Sequence, residues 1–164
     1  DPVTTDDCVS FRLEDGTLVT KESGKYLEFT LHFMSEADML VHLTSENSDG
    51  AQDGTLIYSS KPTLAEAMRI SFSADEETKV YNPGLNTGEL SSINNQFTLP
   101  NESEMEYNKQ NTLFALKAYE DKPVTIRVWM EGTDPACEDS LKNADYSIRL
   151  RFFGTDENNN KFFE

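Results

Sequence analysis

Alternation of apolar and polar side chains at a period of two is the feature that most limits how this chain can fold. From Tyr26 to Met34, Leu27, Phe29, Leu31 and Phe33 fall on one side, while Glu28, Thr30 and His32 fall on the other. That is the pattern of a strand with one buried face, because successive side chains point to opposite sides of the pleat. Met39, Val41 and Leu43 repeat it between Met39 and Thr44, and the short link Ser35-Glu36-Ala37-Asp38 predicts that the two runs form a hairpin. Further strands are predicted at Val9–Leu13, Thr17–Thr20, Thr55–Tyr58, Met68–Ser73, Thr78–Tyr81, Thr112–Tyr119, Val124–Glu131 and Tyr146–Phe153. About ten short strands in one chain point to a sandwich.

Helical signals are brief. Thr63-x-x-Glu66 has the spacing of a capping box and predicts a turn or two over Leu64–Met68. Asp134-Pro135, an N-cap followed by proline at the first helical position, predicts a second over Ala136–Lys142. With 164 residues, no internal repeat and no linker, a single domain is expected over residues 1–153. Residues 154–164, with three consecutive asparagines, read as a flexible C-terminal tail. The fold class expected is all-β, a jelly-roll-like antiparallel β-sandwich with one or two short helices.

Thirty acidic side chains against fourteen basic ones leave a net charge of −16, which repels nucleic acid and anionic membrane surfaces. No apolar run approaches the ~18–20 residues of a spanning helix, so no membrane insertion of this fragment is expected. The first residue is Asp1 rather than Met, which suggests that a leader or anchor has been removed. Cys8 and Cys137, the only cysteines, stand near opposite ends of the chain, outside any zinc-like cluster. If they pair, the bridge closes a long loop, worth roughly 5 kcal/mol on the chain-entropy account. The other reading is two separate buried thiols. The pairing is preferred, since the acidic composition and missing leader favour an oxidising compartment.

Catalytic signatures such as G-x-S-x-G, H-E-x-x-H and the phosphate-cradling glycine loops do not occur, so no catalytic residue, cofactor or metal is assigned and a non-enzymatic role is expected. On the expected hairpin His32 and His42 would stand opposite each other, able to hold a divalent ion with Glu28; two solvated histidines on an outer face is the plainer reading. The loop Glu46–Gly54 is rich in oxygen ligands and glycine but does not follow the EF-hand spacing, and a mobile acidic turn is preferred there. In Val124–Glu131, Val124, Ile126, Val128 and Met130 form a core face, which puts Arg127 and the single tryptophan, Trp129, on the opposite face. Trp129 must be either covered or used, for instance to stack on a sugar. Cover by the helix beginning at Asp134 is the preferred reading.

The run Thr125-Ile-Arg-Val-Trp-Met-Glu-Gly-Thr-Asp-Pro-Ala-Cys137 resembles a motif of exported Gram-positive proteins of the TasA/camelysin group. Ala67–Phe72 with Tyr81-Asn82-Pro83-Gly84, and Thr112–Leu116, are similar to further segments of that group. The resemblance covers mainly residues 60–153. It implies a jelly-roll-like sandwich, export, and in some relatives assembly into the fibres of a biofilm matrix. Arg69, Trp129, Glu131, Gly132 and Asp134 fall on the matching motifs and read as fold-supporting: Arg69 paired with Glu131, Gly132 in the turn, Asp134 capping the helix.

The leading expectation is a secreted or cell-surface structural protein, exported and able to self-assemble or to join another surface protein by donating Val3–Leu13 as a strand. A carbohydrate-binding or adhesin module, taking a glycan on aromatics such as Trp129 and Tyr119, is the alternative.

Overall fold

Paired strands account for most of the regular structure in a computed structural model, which describes residues 1–45, 55–61, 63–83, 96–100, 104–134, 137 and 145–162. In chain order these are β1 (Phe11–Arg12), β2 (Leu18–Val19), β3 (Leu27–Phe33), β4 (Met39–Leu43), β5 (Leu56–Ser59), α1 (Thr63–Ala67), β6 (Met68–Ala74), β7 (Glu77–Tyr81), β8 (Gln96–Phe97), β9 (Thr112–Leu116), β10 (Lys122–Met130), β11 (Tyr146–Arg149) and β12 (Phe152–Thr155). The all-β sandwich expected from the alternation is the fold observed. Its short helix α1 lies within one residue of the expected turn.

One layer is a five-stranded sheet in the order β3-β10-β6-β7-β8, antiparallel except for the β7–β8 pair. Its inner face carries Val124, Ile126 and Val128 of β10, in register with Phe72 and Ile70 of β6. Opposite stand the three-stranded sheet β12-β4-β9 and the pair β11-β5. Val41, Leu43, Ile57, Phe114 and Leu116 from those strands join the β6 and β10 side chains in one buried cluster. Burial of this apolar area is the main favourable term in the fold.

The other face of the five-stranded sheet is covered in part. Val3, Cys8, Phe11 and Tyr26 pack with Val80 and Trp129 in a second buried cluster. The N-terminal segment reaches it by way of a parallel bridge between Val3 and Glu131 and an antiparallel one between Thr4 and Arg12. Gly16 allows the β1–β2 turn: at φ +86 it adopts a backbone conformation that side chains with a Cβ seldom tolerate.

The hairpin expected between β3 and β4 does not form. β3 pairs with β10, and β4 pairs with β9 and β12 in the opposite layer. The Ser35–Asp38 link is therefore a crossover between layers, as is the link from β9 to β10. The two crossovers lie against each other, with Tyr119 N–H donating to Ser35 O at 2.7 Å and Ala118 N–H to Asp38 Oδ1 at 2.8 Å. Two apolar runs joined by a short link can face each other across a core as readily as lie side by side. Here Phe33 meets Phe114 and Phe152 across the layers, with ring centroids 4.9 Å apart in both pairs.

The single strand expected over Tyr146–Phe153 is two strands, β11 and β12, which belong to different sheets. β12 continues past residue 153 to Thr155, and a turn held by Asp156 returns Lys161 to a bridge with Thr155. Among the described residues no helix is long and apolar enough to cross a membrane.

Candidate functional site

The five residues of the sequence motif come together at one end of β6 and β10, beneath the N-terminal segment. Arg69 and Trp129 are directly opposed in the antiparallel β6–β10 pair. Trp129 is 1% exposed, and Phe11 of the N-terminal segment meets its ring, edge-on at 5.1 Å. Tyr26 stacks on Phe11 at 4.1 Å. The expected helix over Ala136–Lys142 lies, apart from Cys137, outside the described residues. Trp129 is thus covered and offers no ring to a sugar.

The expected Arg69–Glu131 pair is replaced by two separate arrangements. Glu131 Oε1 accepts the indole N–H of Trp129 at 2.9 Å, while Oε2 accepts the Thr133 N–H at 3.1 Å and its hydroxyl at 2.8 Å. Arg69 instead forms a salt bridge with Asp134 in which both side chains are fully buried. Its Nη1 also donates to the carbonyls of Glu66 at 2.9 Å and Met68 at 3.0 Å. A buried guanidinium is tolerated only when it is paired and hydrogen-bonded, and Asp134 meets that need. Glu131 is committed along its own strand and cannot serve both groups. Gly132 lies in the turn, as expected, with its N–H donating to Val3 O at 2.8 Å. A Cβ there would sit 3.4 Å from Pro2 Cβ, at about ordinary contact distance, so the N-terminal segment lies directly against this turn. Closed to solvent and knitted to the chain's first residues, the cluster acts as a clasp.

Cys8 and Cys137 are not joined by a disulfide. Cys8 packs in the Trp129 cluster on the outer face, whereas Cys137 packs against the main core. Cys8 takes a left-handed backbone conformation at φ 60, and Thr5 Oγ1 accepts its N–H at 2.9 Å. Burial, reinforced by the neighbouring Asp7, pushes its thiol up to about 12.

Nor do the histidines meet. His32 lies exposed on β3, bonded through Nδ1 to Asp121 at 2.9 Å. His42, expected to be solvated, is fully buried between Asn111 Oδ1 at 2.9 Å from Nδ1 and Thr155 Oγ1 at 2.8 Å from Nε2. Tyr107 caps its ring and itself stacks on Phe153. Among the described residues no group of three metal-ligating side chains gathers. The loop Glu46–Gly54 lies outside the described residues.

Two surface features were not legible in the sequence. β3 ends its sheet, and among the described residues its free side has no partner strand. Leu27, Phe29 and Leu31 on it are 47, 40 and 38% exposed, although they lie in register with the buried Val128, Ile126 and Val124. Alternation put them on the core face, but nothing in the sequence says where the opposing layer stops. On the outer face, Thr30, Thr125, Ser73 and Thr78 align across four strands in one row. The Thr30 and Thr125 hydroxyls lie 3.4 Å apart and those of Ser73 and Thr78 2.8 Å apart. The chain matches no protein-family model, no curated protein and no solved structure.

Proposed function

We propose that this protein is a non-catalytic structural subunit of an extracellular or cell-surface matrix, joined to its neighbours by strand addition. The observation that carries the reading is the open edge of β3: over seven residues the strand is paired with β10 on one side and, among the described residues, with no strand on the other, beside a half-exposed apolar row continuous with the core. An edge of this kind is a template for another strand unless something blunts it. The resemblance to the TasA/camelysin group supports export and assembly.

The N-terminal segment Val3–Leu13, the expected donor, lies on its own sheet, with Val3 bridged to Glu131 and Phe11 buried against Trp129. Deleting it would uncover Trp129, so loss of assembly on deletion would not separate donation from misfolding. The cleaner test leaves the segment in place. Sedimentation velocity and negative-stain electron microscopy of the full chain over a wide concentration range should show assembly that grows with concentration. A strict monomer throughout overturns the reading.

A second reading, a glycan-binding module, draws on the hydroxyl row Thr30–Thr125–Ser73–Thr78, with strands spaced about 4.8 Å apart, and on Tyr119, which is 70% exposed. A glycan array with a Tyr119→Ala control and a Thr125→Val control tests it, and retention of no glycan removes it.

A further inference from the structure

His42 points away from the core side of β4 yet is fully buried, because residues 104–111, which join no strand, close over it. The bonds of this cover fix where the ring's proton sits. Asn111 Nδ2 donates to Glu106 O at 2.8 Å, which leaves its Oδ1 facing His42, and the same oxygen accepts the Asn108 N–H at 3.0 Å. His42 Nδ1, 2.9 Å from that oxygen, must therefore donate to it. Nε2 is then the acceptor of the neutral ring, taking the Thr155 hydroxyl at 2.8 Å. A second proton on Nε2 requires that hydroxyl to turn to its other acceptor, Asp156 O, 3.2 Å away.

The charged ring would thus keep its hydrogen bonds but gain no counter-ion. From the cover, Tyr107 faces the ring, and Glu104, Glu106 and Lys109 are the charged residues of that segment; the turn after β12 brings Asp156, Glu157 and Lys161. The ring's bonds go to Asn111 and Thr155 and to none of these. The Asp156 carboxylate is taken up by the N–H groups of Asn158 and Asn160. β9, paired with β4, carries no titratable side chain.

We propose that residues 104–111 form an acid-released lid over β4 and β12, with His42 as its trigger. A lone charge under the lid is costly, whereas an open lid returns it to water. The lid is lightly held: Met105 and Tyr107 are its apolar residues, and Glu104, Glu106, Lys109 and Gln110 are exposed. Opening separates the stacked rings of Tyr107 and Phe153 and uncovers the outer face of the edge strand β12. This device is independent of the assembly reading.

The test is hydrogen exchange of the full chain, read by NMR and corrected for the intrinsic rate at each pH, together with the nitrogen-15 shifts of the His42 ring. The Asn108 and Asn111 amides report on the lid, since each donates to the other's side-chain oxygen. At pH 7.5 the ring proton is expected on Nδ1. Between pH 7.5 and pH 5 the lid amides should lose protection by up to about thirtyfold, the factor by which an exposed ring titrating at 6.5 favours the open form. Amides in β10 should stay slower at every pH. His42→Gln, whose amide can serve the same two partners without titrating, should abolish the change. Lid protection that stays constant, that falls equally in His42→Gln, or that is lost only in step with β10 overturns the proposal, as does a proton on Nε2 at pH 7.5. If His42→Gln does not fold, the wild-type exchange and ring shifts decide alone.

Discussion

Trp129 and Glu131 stand two residues apart at the end of β10, and the indole N–H of the first donates to Oε1 of the second at 2.9 Å. A ring that is 1% exposed thereby keeps its one polar atom bonded, which is the condition for burying an indole at little cost. The carboxylate that accepts it also ties down Thr133, so the ring, the strand end and the turn are held as one unit.

Because Trp129 is the only tryptophan, its fluorescence reports on this unit alone. Native emission is expected to be blue-shifted and to move red on unfolding in urea. Trp129→Phe should lower stability by about 1–3 kcal/mol, since Glu131 loses a buried donor. Phe11→Ala should cost about 3–5 kcal/mol and shift native emission to the red by opening the ring to water. Unshifted emission in Phe11→Ala would contradict the cover assigned to the N-terminal segment.

The Arg69–Asp134 pair makes a different prediction. Removing one partner leaves the other charge buried and alone, so Arg69→Met should destabilise by about 3–5 kcal/mol in equilibrium urea unfolding. The double variant Arg69→Met/Asp134→Leu should recover a substantial part of that loss. Equal destabilisation by the single and double variants would mean that the pair is not coupled as its geometry requires.

His42 should make stability depend on pH. Burial holds its folded value below the ordinary 6.5, against the opposing hydrogen bond to Asn111. The native state therefore binds fewer protons than the unfolded chain between the two values. Its contribution is fully present above 6.5 and is lost as pH falls from there through the lowered folded value. His42→Gln should flatten this part of the stability curve, measured by urea midpoints from pH 7.5 down to pH 5.

Cys8 should be inert in the folded protein. With its thiol pushed up to about 12, chiefly by burial, it carries almost no thiolate near neutrality. Iodoacetamide followed by intact mass should show Cys8 unmodified in native protein. In urea without reductant both cysteines should be alkylated, because no bridge protects them. One protected pair would restore the disulfide expected from the sequence.

What the sequence conveyed was which side of each strand faces inward. Val124, Ile126 and Val128 lie in the core and Trp129 on the opposite face, as their spacing required. It did not convey which strand lies beside which. The period of two constrains a side chain's direction, and β3 and β4 satisfy it equally well as neighbours in a sheet or as opposed layers. The same ambiguity hid the break between β11 and β12. His42 was misread because alternation assigns a face but not what covers it; the segment carrying Tyr107 and Asn111 closes over that outer face. Asp134 pairs with Arg69, 65 residues earlier, a distance that no local signal spans, so the sequence paired Arg69 with Glu131 instead.

Strands that pair in the two layers are also far apart in time. Thr30 on β3 meets Thr125, 95 residues later, and His42 on β4 meets Thr155, 113 residues later. Non-local pairing of this kind makes folding slow, because a large loop must close before any contact compensates for its entropy. During synthesis the first half of the chain leaves the ribosome with no strand to accept β3. That strand can enter its sheet only once β10 has been made, so the order of synthesis leaves β3 waiting for that partner.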